Sequence, residues 1–305
     1  MLCVFSACAA PEAVLSDAAL LPSPTLSPSL SPSLSPTPSP TLLPSPSPTP
    51  LPTPKITDEW YVERTAEMRD YMARYGGYEN EAALEEALCS FEIDPDKPMV
   101  ALTFDDGPIE GVTDRIVDIL AANGARATFF VLGARTKAAG TTALLQSILG
   151  HGNEIGNHTW SHAALPSCNI PDMTGQILRT NDAVFAAVGY TVRSLRPPGG
   201  KYDHIVLHEA KKLGMPVVLW AQSGNVHEQD PAQIAENVFV QQVNGKALES
   251  GDIILLHDTK PHMVDAVALL VPRLVEAGYQ LVTVQELLHL SDRGVLPGEV
   301  YRKQN

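Results

Sequence analysis

The sequence is poor in several features that would narrow its function. It has four cysteines, none spaced as CxxC, so a zinc–thiolate site finds no support. No apolar run reaches the roughly 20 residues that a helix needs to cross a bilayer. Positive charge is scarce: 21 Lys and Arg stand against 35 Asp and Glu, a formal net charge of −14. Residues 1–54 contain no Lys or Arg and only Glu12 and Asp17 as acids, so removing those two charges leaves −12 on the rest of the chain. So acidic a globular part argues against nucleic acid or an anionic membrane surface as the main partner.

What is present divides the chain by composition. The start, "MLCVFSACAAPEAVLS", is short, apolar and rich in small residues but lacks the positive charge of a full signal peptide. Residues 1–21 therefore read as a truncated signal, with the recorded start expected inside a longer leader. "FSAC", ending at Cys8, has the pattern of a bacterial lipoprotein cleavage box with Phe in the usual Leu position, which makes Cys8 the expected point of a lipid anchor. A fortuitous apolar start is the alternative. Residues 22–54 are low-complexity Pro/Ser/Thr. Proline fixes φ and removes donors, so this stretch is expected to be a disordered, polyproline-like spacer. Such a spacer places a domain at a distance from a membrane or through a wall; disorder without function is the alternative.

Tyr61, Met68, Tyr71, Met72 and Tyr75 follow helical spacing, Asp58 and Glu59 suit a first turn, and Gly76–Gly77 stop it. "ENEAALEEAL" reads as a second short helix. Residues 55–96 are thus expected to be a helical N-terminal extension capping a main domain at 97–292, with 293–305 as a C-terminal tail. Within the main domain, short apolar runs at 99–104, 127–131, 153–156, 193–196, 217–220, 252–256 and 281–284 read as strands. Helical patterns at 113–122, 172–188, 203–213, 231–241 and 263–277 fill gaps between them. This alternation predicts an α/β fold of parallel strands with right-handed crossovers. About seven repeats predict a distorted, incomplete (β/α)7 barrel, with an open doubly wound sheet as runner-up; either gathers ligands at the carboxyl ends of its strands.

Several motifs fall at those ends. "ALTFDDGP" sets Asp105 and Asp106 directly after a strand, where two carboxylates repel unless each finds a cation or donors. "GNHTWSH" spaces His158 and His162 four apart, which a helical turn would bring to one face. With an acid at the same rim they supply His, His and Asp, a three-ligand set with an open position that fits catalytic zinc. "RPPGGKYD" puts the permanent cation Arg196 at a strand end, suited to a carboxylate pair. "LLHD" puts His257 after a fully apolar strand, where a satisfied core histidine is the ordinary explanation.

Together, and in this order, "TFDDGP", "ATFFVLG", "GNEIGNHTWSH", "RPPGG" and "ILLHD" make residues 97–290 resemble the polysaccharide deacetylase family (carbohydrate esterase family 4, the NodB-homology domain), whose fold is a distorted β/α barrel. The resemblance implies that Asp106, His158 and His162 bind a divalent metal, Zn2+ or in its place Co2+ or Ni2+. It makes Asp105 the general base, Arg196 the residue that keeps Asp105 ionised and in position, and His257 the general acid. Gly199 would contribute a backbone N–H, and Leu256 would line the pocket for the acetyl methyl group. The implied substrate is an N-acetylated polysaccharide, and a monomer is the expected state.

Two departures stand out. Gly199 occupies a position where the family often has Tyr, and Asn225 and Val226 stand where a fourth motif commonly has Asp and Trp. The expected consequences are a wider acetyl pocket and an untuned His257, with Asp230 or Asp258 as possible substitutes. The leading expectation is an exported N-deacetylase of cell-wall glycan, peptidoglycan before chitin oligomers or an exopolysaccharide, sited outside the cell or at the envelope. The alternatives are an O-acetyl esterase of the xylan type and a catalytically weak glycan-binding module that retains the metal. Cys89 and Cys168 either pair in an oxidising compartment or stay free.

Overall fold

The computed structural model describes residues 93–224, 227–240, 246–290 and 295–304. The signal-like start with Cys8, the Pro-rich spacer, nearly all of the 55–96 extension, Cys89, Asn225 and Val226 lie outside the described residues.

Parallel strands alternate with helices from residue 99 onward. In chain order they are β1 (Met99–Asp105), α1 (Thr113–Ala122), β2 (Ala127–Val131), α2 (Thr141–Gly150), β3 (Glu154–Asn157), α3 (Ile170–Val188), α4 (His204–Lys212), β4 (Val217–Val218), β5 (Gln222–Ser223), α5 (Pro231–Phe239), β6 (Ile253–His257), α6 (Pro261–Glu276), β7 (Gln280–Leu281), α7 (Val284–His289) and β8 (Val300–Tyr301). One sheet runs β3-β2-β1-β6-β5, all parallel. A parallel bridge from Asn157 to Leu195, and another from Leu195 to Val217, carries the ring from β3 round to β4. The sequence-predicted strand at 193–196 is thus reduced to a single bridging residue.

Two short strands distort the ring at the amino ends of the others. β7 pairs with Met99 and Val100 of β1 before β2 begins, and Leu281 O accepts the Arg126 N–H that leads into β2. β8 pairs with β4, while Arg302 O accepts from Ile253 of β6. Within 293–305, expected to be a tail, Val300–Tyr301 therefore add a strand beside β4.

Alternation along the buried strands separates two packing layers. Val100, Leu102 and Phe104 of β1, with Ile254 and Leu256 of β6, pack outward in a cluster with helical residues such as Ile116, Ile234 and Leu270. Met99, Ala101, Phe130, Val218 and Ile253 face inward, where Val284, Leu287 and Leu288 of α7 join them. Helix α6 turns Val264, Val267, Val271 and Leu274 inward at helical spacing, and burying each such side chain stabilises the fold by roughly 1.5–3 kcal/mol. Asp105 and His257 lie at the opposite, carboxyl ends of β1 and β6.

Candidate active site

Asp105 is the last residue of β1 and is buried. Its partner comes from across the barrel. Arg196 has no exposed surface; its Nη1 donates to Asp105 Oδ1 at 2.8 Å and to Thr103 Oγ1 at 2.6 Å. Nε donates to Val218 O at 3.1 Å and Nη2 to Leu219 O at 3.0 Å. Thr103 in turn donates to Ile254 O at 2.6 Å, so one hydroxyl links the guanidinium to β6. The guanidinium carbon lies 4.1 Å from the centre of the Phe130 ring, and that ring occupies the space a side chain at Gly156 would need. Burial pushes the guanidinium pKa down and Asp105 opposes the shift. A buried cation this well satisfied is a fixed electrostatic support for the carboxylate.

Asp106 turns the other way. Its φ of +72° is a left-handed conformation that acidic and amide residues adopt more readily than others. The reversal separates consecutive carboxylates, with Asp105 on the arginine and Asp106 facing two histidines.

The histidine loop does not form the expected helical turn. Thr159 and His162 both have positive φ, +69° and +61°. Asn157, ending β3, shapes the bend: its Oδ1 accepts from Thr159 N–H, and its Nδ2 donates to Ile177 O and Asn181 Oδ1 on α3. The loop nevertheless brings the imidazoles together, with ring centres 5.2 Å apart. Nδ1 of His158 lies 2.7 Å from Arg196 O. A carbonyl only accepts, so Nδ1 carries the proton and Nε2 presents a lone pair. Burial pushes the His158 pKa down against the pull of Asp105 and Asp106, favouring the neutral, ligating form.

His158 Nε2 lies 3.6 Å and His162 Nε2 3.5 Å from Asp106 Oδ1. These are too long for hydrogen bonds, and Oδ1 is buried with no hydrogen-bond partner. Two ligands about 2.1 Å from one tetrahedral ion stand roughly 3.4 Å apart. One ligand atom from each of Asp106, His158 and His162 falls within 4.8 Å of the others, so the residues fit a single divalent cation. Asp105 Oδ2, 3.7 Å from His158 Nε2, borders the same spot.

His257 closes β6 with its α-carbon paired to that of Asp105, and it is half-buried. Among the described residues its imidazole makes no hydrogen bond. Neither expected substitute for the fourth motif is bonded to it. Asp230 caps α5 by accepting from Ala232 N–H. Asp258 is fully buried and accepts from Thr113 Oγ1 at 2.5 Å, holding the start of α1.

Leu256 does not line the site. It belongs to the outward layer and packs towards Gly224. Leu255, paired with Thr103, shares the face of His257. Gly199 is in a left-handed turn (φ +62°), exposed, with its N–H free of any acceptor among the described residues. An aromatic does stand beside this turn. A Cβ on Gly200 would meet the Trp220 ring at 2.9 Å, and the Trp220 ring centre is 5.8 Å from the Arg196 guanidinium. Trp220 lies in an apolar strand pattern, which hid it in the sequence. Cys168 has a free thiol, half-buried, its Sγ 3.7 Å from Ala164 O.

A family model described as polysaccharide deacetylase matches residues 92–218. A peptidoglycan-N-acetylmuramic acid deacetylase of Bacillus subtilis is 36% identical over 64% of this chain and 40% of its own length. A peptidoglycan-N-acetylglucosamine deacetylase of Bacillus cereus is 35% identical over 65% of this chain and 92% of its own length. The chain thus spans less than half of the longer relative and nearly all of the shorter one. The solved structure of the B. subtilis peptidoglycan deacetylase superposes with a TM-score of 0.59 at 34% identity, covering 65% of this chain and 93% of that one.

Proposed function

This chain belongs to the polysaccharide deacetylase family, and on that premise we propose that it removes the acetyl group from N-acetylated sugars of cell-wall glycan, peptidoglycan first. The observation that carries the reading is the placement of Asp105, braced by Arg196, beside the Asp106–His158–His162 cluster. A divalent cation held by those three residues, zinc before cobalt or nickel, supplies Lewis-acid polarisation of the acetamide carbonyl and acidifies water.

The chain's own groups do the rest. Asp105 Oδ2 faces the cluster while Oδ1 is fixed by Arg196, so Oδ2 is free to take a proton from the attacking water. The exposed N–H of Gly199 is available to the oxyanion that forms as water adds to the carbonyl carbon. His257, on the strand next to Asp105, donates the proton that lets the amine leave as the C–N bond breaks; acetate and a free amino sugar result. Leu255 faces the site from the same strand as His257 and offers an apolar surface to the acetyl methyl group.

The composition of the first 54 residues supports export, with the Pro/Ser/Thr spacer reaching from an anchor, lipid on Cys8, to the wall. Acetate release from peptidoglycan, chitin oligomers and acetylated xylan, with added zinc, cobalt or chelator, tests the activity. Release from peptidoglycan that chelator abolishes is the expected result. Release from xylan alone makes the protein an O-acetyl esterase. One observation favours a second reading, a metal-retaining glycan-binding module: His257 has no orienting carboxylate among the described residues. Tight glycan binding without acetate release from any substrate would establish that reading.

A further inference from the structure

The loop after β2 is joined to the histidine loop beside the cluster. Gly133 N–H donates to Thr159 O at 3.0 Å and Ala134 N–H to Trp160 O at 2.9 Å. The short turn Gly133–Lys137 thereby lies against the residues between His158 and His162. Cations collect there. Lys137 Nζ is 4.9 Å from the Trp160 ring centre, and Arg179 Cζ, from α3, is 4.3 Å from it. Arg135, two residues before Lys137, has a buried Nε with no hydrogen-bond partner.

None of these three side chains forms an ion pair among the described residues, and Lys137 and Arg179 are exposed. Elsewhere some surface cations, Lys97, Lys212, Lys246, Arg273 and Lys303, have acids within reach, while others such as Arg115, Lys201 and Lys260 form no ion pair among the described residues. In a chain of net charge −14, carboxylates for pairing are in excess. What sets this rim apart is that one indole holds two of the cations, Lys137 and Arg179. Cation–π contact fixes their position without neutralising them, so their combined field is left for an anion that arrives from outside.

We propose that Lys137 and Arg179 around Trp160, with Arg135 from the same turn as Lys137, form a subsite for a carboxylate carried by the glycan near the acetamide that reacts. This inference rests on the deacetylase reading and deepens it: the preferred substrate is a polyanionic N-acetylated glycan, with a carboxylate on the lactyl ether or peptide of a neighbouring residue, rather than a neutral polymer. The planar guanidinium groups suit a carboxylate's two oxygens.

The test compares three glycans of equal length. These are peptide-free peptidoglycan strands with free lactyl carboxylates, the same strands with those carboxylates amidated, and an N-acetylglucosamine oligomer. A phosphate-substituted glycan forms a fourth arm. For the zinc-loaded full chain, kcat/KM on the carboxylated strands is expected to fall about fivefold between low and moderate salt, and to change little on the neutral ones. Lys137→Glu and Arg179→Gln should each raise KM on carboxylated strands about five- to tenfold more than on neutral ones. Lys137 is exposed, so its variant keeps the test valid if Arg179→Gln loosens Trp160.

Equal losses on all glycans, or no salt effect, would overturn the subsite while leaving the activity intact. Preference for the phosphate arm would overturn the carboxylate assignment. Binding of the Asp105→Asn protein to the same glycans, read by affinity electrophoresis, separates the two readings. A charge preference in binding without turnover by the unmutated chain upholds the subsite and removes the deacetylase reading.

Discussion

The imidazole of His158 donates from Nδ1 to the carbonyl oxygen of Arg196, 2.7 Å away. One residue therefore serves both halves of the cluster: the Arg196 side chain fixes Asp105, and its backbone fixes the tautomer of His158. Because the second role belongs to the main chain, the two can be separated by substitution.

Asp105→Asn keeps the shape of the site but removes the proton acceptor. Acetate release should fall at least about a hundredfold, with metal content near one per chain. His158→Ala should lose the metal as well. Elemental analysis of both variants alongside the assay decides it; equal metal loss in both would mean that the two acids have exchanged roles.

Arg196→Met leaves Asp105 buried with no cation. Breaking a buried pair on one side costs about 3–5 kcal/mol, and urea unfolding should show a loss of that size. Adding Asp105→Asn to Arg196→Met should recover part of it, since the uncompensated charge is then gone.

Leu255 and Leu256 separate function from packing. Leu256→Ala should cost about 2–5 kcal/mol of stability with kcat/KM little changed in the folded fraction. Leu255→Ala should raise kcat/KM for a propionylated relative to an acetylated substrate, by enlarging the space next to His257. Assays with both acyl groups, beside thermal unfolding, distinguish the two positions.

Asp258 should make stability depend on pH. Burial, and then the charges of Asp105 and Asp106, push its carboxyl up to about 7 from an ordinary 3.8, against the donor Thr113. Between those values the folded protein keeps a proton that the unfolded chain has released. Its contribution therefore falls as pH rises, by at most about 1.4 kcal/mol per pH unit, and levels off above pH 7. Buried Glu154, whose pKa burial also raises, acts in the same direction. Thermal unfolding in chelator across this range should show a gain for Asp258→Asn over the unmutated chain that grows with pH. A constant difference would contradict the assignment.

The sequence made the main alternation legible because β1, β2 and β6 are long apolar runs, and the helices between carry clear periodicity. It also placed Asp105, Asp106, His158, His162, Arg196 and His257 at one rim, since each lies at or just after the end of an apolar run read as a strand. The conformation of the histidine loop was not legible: a spacing of four fits a helix and equally fits a bend with two left-handed residues. Which of Leu255 and Leu256 faces the site depends on register against β1, which pairing alone sets. Strands of two residues, such as β5 and β8, are too short to carry a period, and the strand expected at 281–284 survives only as Gln280–Leu281 before α7 begins. Lys137 and Arg179 meet over Trp160 only because the fold brings α3 to the loop after β2, so no local pattern announces them.

The position of β1 inside the ring also bears on how the chain matures. Thr103 bonds to Ile254, 151 residues later, and Asp94 to Gln280, 186 residues later. Contacts of such high order close slowly, because a long loop must be gathered before any of them forms. As the polypeptide leaves the ribosome, β1 can pair with β2 early but waits for β6 on its other edge. A partial product that stops short of β6 cannot bring Asp105 beside His257, so the rim of the barrel takes shape only after that strand has emerged.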